Sequence, residues 1–287
     1  MKKQFDSKKE LIYFLQNKAT DMRIEIIKLM AIAGGGHVGG GLSMIDILVA
    51  LYHHVLNIDP SNPKWEERDR FILSKGHGSI AFCPVLADVG FFPKEQLCNF
   101  NQMDSCFGMH PDMHKVPGAE MSTGSLGHGL SISVGMCLGA RLDNAKWRVY
   151  CFLGDGECNE GTVWEAAMSA SHYKLGNLIA IVDRNGFTID GPTEQIMSLE
   201  PFAKKWEAFG WKVLEIDGHD FEQILDAFEK LPEANSDVPT VIIAKTIKGK
   251  GVSFMENQSS WHYGGLDAKK EEQAINDIES QRPVLNV

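Results

Sequence analysis

The 287-residue chain has no Cys-x-x-Cys pair, no internal repeat and no apolar run approaching the length of a membrane span. Its cysteines, at 83, 98, 106, 137, 151 and 158, lack the spacing of a zinc ribbon or a dithiol redox centre and read as buried reduced thiols. The opening MKKQFDSKKE carries lysines with no apolar segment behind them, unlike a secretory signal, and a cytoplasmic location is expected. Positive charge is also scarce. The net charge of -10 argues against nucleic acid or an anionic membrane as partner. An anionic ligand stays compatible with that balance if glycine loops and a metal supply the local field. Hydrophobic content of 44% is ordinary for a globular chain, and the length permits one large α/β domain or two small ones.

What is present centres on residues 149–191. An apolar run, 149–153, stops at Gly154-Asp155-Gly156; an amphipathic segment, 160–173, leads to a second apolar run, 178–182, which stops at Asp183-Arg184-Asn185-Gly186. This is a βαβ unit with polar residues at both strand exits, where open α/β sheets bind ligands. Asp-Gly and Asn-Gly are also strong hairpin-turn signals, and each pair taken singly reads as a turn. The helical spacing of Val163, Ala166, Ala167 and Ala170 after Gly156 favours the βαβ reading. On that reading, a carboxylate oxygen of Asp155 and an amide oxygen of Asn185 leave neighbouring strands on one edge, an inventory suited to Mg²⁺ and a diphosphate.

Around this unit the chain is rich in glycine loops. Residues 8–32 are helical by period, and Gly34-Gly35-Gly36-His37-Val38-Gly39-Gly40-Gly41 follows. Its literal GxGxxG is no dinucleotide fingerprint, because a helix and not a strand precedes it. The loop is either flexible or lets backbone approach a ligand. Ser43 is expected to cap a helix over 44–56, with His53 and His54 as helix-surface residues. A buried strand over 69–74 ends in Lys75-Gly76-His77-Gly78 before a helix over 79–89, a place where backbone donors favour an anion. His110 and His114 stand four apart, but Pro111 between them argues against a zinc helix. A helix over 130–142 is studded with small residues, suited to core packing or a subunit contact. Strands over 211–216 and 238–246 complete the sheet, and helices over 206–209, 221–231 and 267–281 complete the layers. Lys248-Gly249-Lys250-Gly251 is no P-loop, since Ser or Thr does not follow. The expected fold is α/β, a doubly wound, mostly parallel sheet with helices on both faces.

Gly154-Asp155-Gly156, then 28 residues, then Asn185, resembles the thiamine diphosphate motif, and the flanking sequence resembles transketolase. GGHVGGGLS is similar to that family's SGHPGG loop, DRFILSKGHG to its first strand and loop, His110-Pro111-Asp112 to its HPE, TGSLGHG to its TGPLGQG, and Trp261-His262 to its SWHG. Val38, Asp112, Ser125 and His128 depart from the pattern. The resemblance spans residues 37–262, the first half of a transketolase, so residues 1–287 are read as a single diphosphate-binding domain.

The resemblance implies thiamine diphosphate with Mg²⁺, or Ca²⁺ or Mn²⁺, held by Asp155, Asn185 and the main-chain oxygen of Phe187. It implies that His77, Gly156 and His262 contact the diphosphate, that Gly124, Leu126 and Ile189 line the ring, and that Glu160 lies near a subunit interface beside the cofactor. His37, His77, His110 and His262 become the catalytic cluster for substrate hydroxyls and proton transfers. The pyrimidine-binding and C-terminal domains, with the Glu that activates the aminopyrimidine, are expected on a partner chain in an α₂β₂ assembly. The implied activity is that of the N-terminal subunit of a two-component transketolase. It moves a two-carbon ketol unit from a ketose phosphate or analogue to an aldose. The α chain of a 2-oxo acid dehydrogenase, a deoxyxylulose-phosphate synthase-like half and a non-catalytic homologue are the competing readings. The first two share GDG…N but lack the histidine loops.

Overall fold

The structure, a computed structural model, describes residues 3–284, so the first two and last three residues of the 1–287 domain lie outside the described residues. Among the described residues five parallel strands form one sheet in the order β1-β2-β3-β5-β4: β1 Arg70–Leu73, β2 Val149–Gly154, β3 Leu178–Arg184, β4 Lys212–Asp217 and β5 Thr240–Lys245. The helices are α1 Lys8–Ala33, α2 Val38–Ala50, α3 Ser79–Val89, α4 His128–Leu142, α5 Gly161–His172, the short α6 Thr193–Ile196, α7 Phe202–Ala208, α8 Phe221–Glu229 and α9 Ala268–Ser280.

The central strands read VYCFL and LIAIV because both faces are covered. Tyr150, Phe152, Ile179, Ile181, Ile242 and Ala244 face a core built with α1, α2, α3, α8 and α9. Their neighbours Cys151, Leu153, Ala180, Val182, Val241 and Ile243 face a second core with α4, α5 and α7. Period-2 alternation therefore vanishes from the sequence although it persists in space. The expected doubly wound α/β architecture is what forms.

Register positions the site. Val149 pairs with Leu178 and Gly154 with Asp183, so β2 and β3 end side by side and release Asp155 and Asn185 on the same edge. The strand expected to stop at Val182 runs on to Arg184, which puts Asp183 inside the sheet at 0% exposure.

The N-terminal glycine run departs most from the sequence reading. Helix α2 starts at Val38, not after Ser43, so Gly39, Gly40 and Gly41 are helical. A helix interior disfavours glycine by about 1 kcal/mol relative to alanine, and close packing explains its presence. A Cβ at Gly39 would lie 2.7 Å from the Trp261 carbonyl oxygen, and one at Gly40 3.3 Å from Lys75 Nζ. Ser43 is not a cap; its hydroxyl donates to Asp183 Oδ2 at 2.6 Å. With the wider turn over Leu51–Val55, residues 38–55 make one continuous helix. By length and composition it is apolar enough to cross a membrane, contrary to the sequence reading, and 83% of it is buried inside the protein. Cysteines 83, 137, 151 and 158 are buried as expected, whereas Cys98 and Cys106 are exposed; all six are free.

Candidate active site

Four histidines from four separate segments meet at the C-terminal edge of the sheet. His37 precedes α2, His77 sits in the turn between β1 and α3, His110 comes from the irregular segment after α3, and His262 follows β5. The His37 ring centroid lies 5.1 Å from that of His77, 6.1 Å from His110 and 5.5 Å from His262. His77 and His262 are 5.3 Å apart, and Tyr263 packs on His37 at 5.0 Å. The structure thus brings together all four residues that the sequence singled out.

Burial is the main cause that keeps these rings neutral, reinforced for three of them by nearby positive groups. His77 is pushed down to about 2 by burial, with Lys75 and the other histidines adding to it. His262 falls to about 3 by burial and Lys248, and His37 to about 4 by burial, His110 and Lys248. Burial also lowers His110. Among the described residues, His37 Nδ1 is buried without a hydrogen-bond partner, as is Thr123 Oγ1 in the neighbouring loop. Lying beside the histidine cluster, both groups have hydrogen-bonding capacity left for a polar ligand.

Two lysines, missed in the sequence because charge is normally read as surface, stand beneath the cluster. Lys75 Nζ donates to Asp183 Oδ2 at 2.6 Å and to the Gly40 carbonyl at 3.0 Å. Burial works against the Asp183 charge, but Lys75, Ser43 and Thr246 together hold its carboxyl below the usual range. Lys248, 1% exposed, donates to the Thr188 carbonyl at 3.3 Å and lies 2.9 Å from His262 Nδ1. Among the described residues it has no carboxylate ion-pair partner, and burial with Lys75 nearby lowers it to about 8. It is a desolvated cation short of an anion.

At the strand exits, Asp155 is 1% exposed. Its Oδ1 accepts from Gly156 N at 2.8 Å, and its Oδ2 from Gly186 N at 2.7 Å and Arg184 Nη1 at 3.2 Å. Gly156 N, expected to face a phosphate, is thus engaged by Asp155. Burial and the Asp183 charge raise the Asp155 carboxyl. Asn185 Nδ2 donates to Asp183 Oδ2 at 3.2 Å, and its Oδ1 accepts from Phe187 N at 3.1 Å. Asp155 Oδ1 and Asn185 Oδ1 each accept one main-chain N–H and keep a lone pair. With the Phe187 carbonyl they supply hard oxygen donors, and a cation would relieve a buried carboxylate now raised by desolvation. The donor set therefore fits a divalent metal such as Mg²⁺ or Ca²⁺. Among the described residues no cluster of three His, Cys, Asp or Glu is placed to hold a metal; the candidate set depends on an amide and a main-chain oxygen.

Glu157 is a further residue that sequence reasoning passed over, although it adjoins the GDG triplet. Its buried carboxylate accepts from the Ser74 hydroxyl, from Gly127 N at 2.8 Å and from Gly154 N at 3.0 Å. One side chain thus ties together the β1 exit, the β2 exit and the loop over 123–129.

The remaining expected residues lie at the margin. Gly124 packs so closely on His110 that a Cβ would lie 3.0 Å from its ring. Leu126 is half-buried, Glu160 is exposed at the start of α5 beside Gly127, and Ile189 is 60% exposed. A cavity of about 840 Å³ is lined by Asn185, Gly186, His219 and Thr246. None of the four histidines lines it, and the convergence of neutral imidazoles and buried cations makes the histidine cluster the candidate site.

Residues 15–279 match the family described as transketolase, thiamine diphosphate binding domain. The chain belongs to that family. This thiamine diphosphate-binding domain is 41% identical to a subunit of the apulose-4-phosphate transketolase of Phocaeicola vulgatus, over 92% of its own length and 93% of the relative's. It is 43% identical to the 6-deoxy-6-sulfo-D-fructose transketolase subunit SqwG of a Clostridium species, over 93% and 97%. The transketolase of Campylobacter jejuni superposes with a TM-score of 0.85 at 33% identity, over 92% of this chain and 42% of the other. The domain therefore matches separate transketolase subunits over almost their whole length and spans less than half of that undivided enzyme.

Proposed function

We propose that this domain is the diphosphate-binding subunit of a two-component transketolase and acts with a separate pyrimidine-binding chain in an α₂β₂ assembly. When bound, thiamine diphosphate supplies an electron sink for cleaving and forming the carbon–carbon bond beside a ketose carbonyl. The observation that carries the reading is the convergence of His37, His77, His110 and His262 above two buried lysines, next to Asp155 and Asn185.

Each residue has a task that follows from its surroundings. Asp155, Asn185 and the Phe187 carbonyl would hold Mg²⁺ or a similar cation against the diphosphate. Lys248, lacking a carboxylate, would supply the diphosphate with a charge-assisted donor. His77 and His262, kept neutral by burial, would offer hydrogen bonds to phosphate oxygens. His37 and His110 would face the substrate hydroxyls and exchange protons with them. Leu126 and the exposed Ile189 would provide apolar surface for the cofactor ring and the partner chain, and Glu160 would reach the cofactor from the subunit contact.

The donor is proposed to be a ketose with an anionic distal group. The names of two relatives, apulose-4-phosphate and 6-deoxy-6-sulfo-D-fructose transketolase subunits, support that class. The six free cysteines support work in the reducing cytoplasm. The purified single chain is expected to be inactive and to gain ketol-transfer activity on mixing with its partner, read by donor cleavage over a panel of ketose phosphates and sulfonates; turnover by the single chain would refute the proposal. Asp155→Ala is expected to abolish Mg²⁺-dependent thiamine diphosphate binding in calorimetry, and unchanged affinity would remove the metal assignment.

A further inference from the structure

Arg184 brings a guanidinium to the strand exits, and its donors join two separate stretches of chain, the exit of β2 and residues 186–200. Its side chain is 13% exposed. Nη1 donates to Asp155 Oδ2 at 3.2 Å and to Thr193 Oγ1 at 2.8 Å; Nη2 donates to Glu194 Oε1 at 2.8 Å and Glu200 Oε1 at 3.0 Å. The guanidinium also lies 5.5 Å from the Phe202 ring centroid. Glu194 in turn accepts from the Ser198 hydroxyl and from Leu199 N, and Glu200 from Phe202 N. The segment from Gly186 to Glu200 is thus closed at its base, with Thr193 N donating to the Gly186 carbonyl at 2.9 Å. Phe187, whose carbonyl is the third candidate metal ligand, sits within it.

A cation 3.2 Å from a metal-binding carboxylate has two opposite consequences. By Coulomb's law alone it repels the metal, so its removal should tighten metal binding. If its fork instead orients the ligands, its removal should loosen them. The geometry favours the second effect, because three of the four contacts are to the 186–200 segment and only one is to Asp155. A lysine could not bridge these groups in the same way, having no planar fork.

We propose that Arg184 is a positioning residue of the metal site: it serves as resident counter-ion to Asp155 and fastens residues 186–200, so that Asp155, Asn185 and the Phe187 carbonyl are arranged before the metal arrives. This rests on the metal assignment made above. The test compares the wild-type full chain with Arg184→Met, Arg184→Lys and Asp155→Ala. The readouts are amide hydrogen exchange without metal, and calorimetric Ca²⁺ binding in the presence of saturating thiamine diphosphate. Arg184→Met is expected to speed exchange within 186–200 at least tenfold while leaving β2 and β3 protected, and to weaken Ca²⁺ at least fivefold. Arg184→Lys, which keeps the charge, should recover only part of either effect. Equal or tighter Ca²⁺ binding in Arg184→Met, or exchange that is unchanged or raised evenly across the whole chain, would overturn the proposal. Unchanged Ca²⁺ binding in Asp155→Ala would instead remove the metal assignment, and segmental exchange in Arg184→Met would still decide whether the arginine fastens the segment.

Discussion

The residue that departs furthest from its usual surface role is Lys248. An ammonium with 1% exposure and no carboxylate partner among the described residues is costly to bury, and a diphosphate offsets that cost when it binds. Lys248→Met is therefore expected to leave the fold intact while weakening thiamine diphosphate by about tenfold to a hundredfold, in line with ~1.5–3 kcal/mol for a hydrogen bond to a charged group. Isothermal calorimetry at constant Mg²⁺ checks this, and unchanged affinity with raised stability would assign the lysine to structure alone. At this scale the sequence was legible where a residue type carries its own chemistry in a recognisable local frame. Asp155 and Asn185 stand in such a frame, as do the four histidines. Lys75, Lys248, Asp183 and Glu157 were not legible, because their meaning arises from partners 30 to 140 positions away and from burial that composition conceals.

Among the elements, α2 shows the same contrast. Its three successive glycines look like a mobile loop, yet they form the first turn of a helix pressed between Lys75, Ile80 and Trp261. Gly39→Ala sets two effects against each other: a gain in helix propensity of about 1 kcal/mol and an overpacking cost of about 1–3 kcal/mol. The contact to a main-chain oxygen at 2.7 Å decides the sign, since backbone yields less readily than a side-chain tip. Gly39→Ala should lower Tm and disturb the segment carrying His262. Gly135→Ala on α4, where a Cβ meets nothing within 4 Å, should raise Tm in the isolated chain, and thermal denaturation of the pair provides the check. The strands and the long helices were readable from period and apolar runs to within a few residues. The start of α2 was not, because glycine signals freedom in a sequence and tight packing only in three dimensions.

For the whole molecule, gathering neutral imidazoles in one place links the site to global stability. In the unfolded chain a histidine takes up a proton as pH falls below about 6.5. The folded chain resists, with His37, His77 and His262 lowered to about 4, 2 and 3. Between about pH 6.5 and 4 these histidines bind more protons in the unfolded state, and their contribution to stability falls as pH falls through that window, against a smaller opposite contribution from the raised Asp155 and Glu157 carboxyls. His77 alone, the most buried of the three, contributes a slope of up to about 1.4 kcal/mol per pH unit. Urea denaturation of the cofactor-free chain at about pH 7.5 and about pH 5 should show a clearly lower midpoint at the acid end; an equal or higher midpoint there would contradict this account.

The 2.9 Å contact between Lys248 Nζ and His262 Nδ1 also determines a tautomer. While Lys248 is charged its ammonium only donates, so Nδ1 accepts and the single ring proton of a neutral His262 resides on Nε2. His262 consequently enters the site as a hydrogen-bond donor whose free nitrogen is already occupied. It is matched to an oxygen acceptor such as phosphate or a sugar hydroxyl and cannot take up a proton there without losing Lys248. On the function proposed above, proton exchange with the substrate is left to His37 and His110.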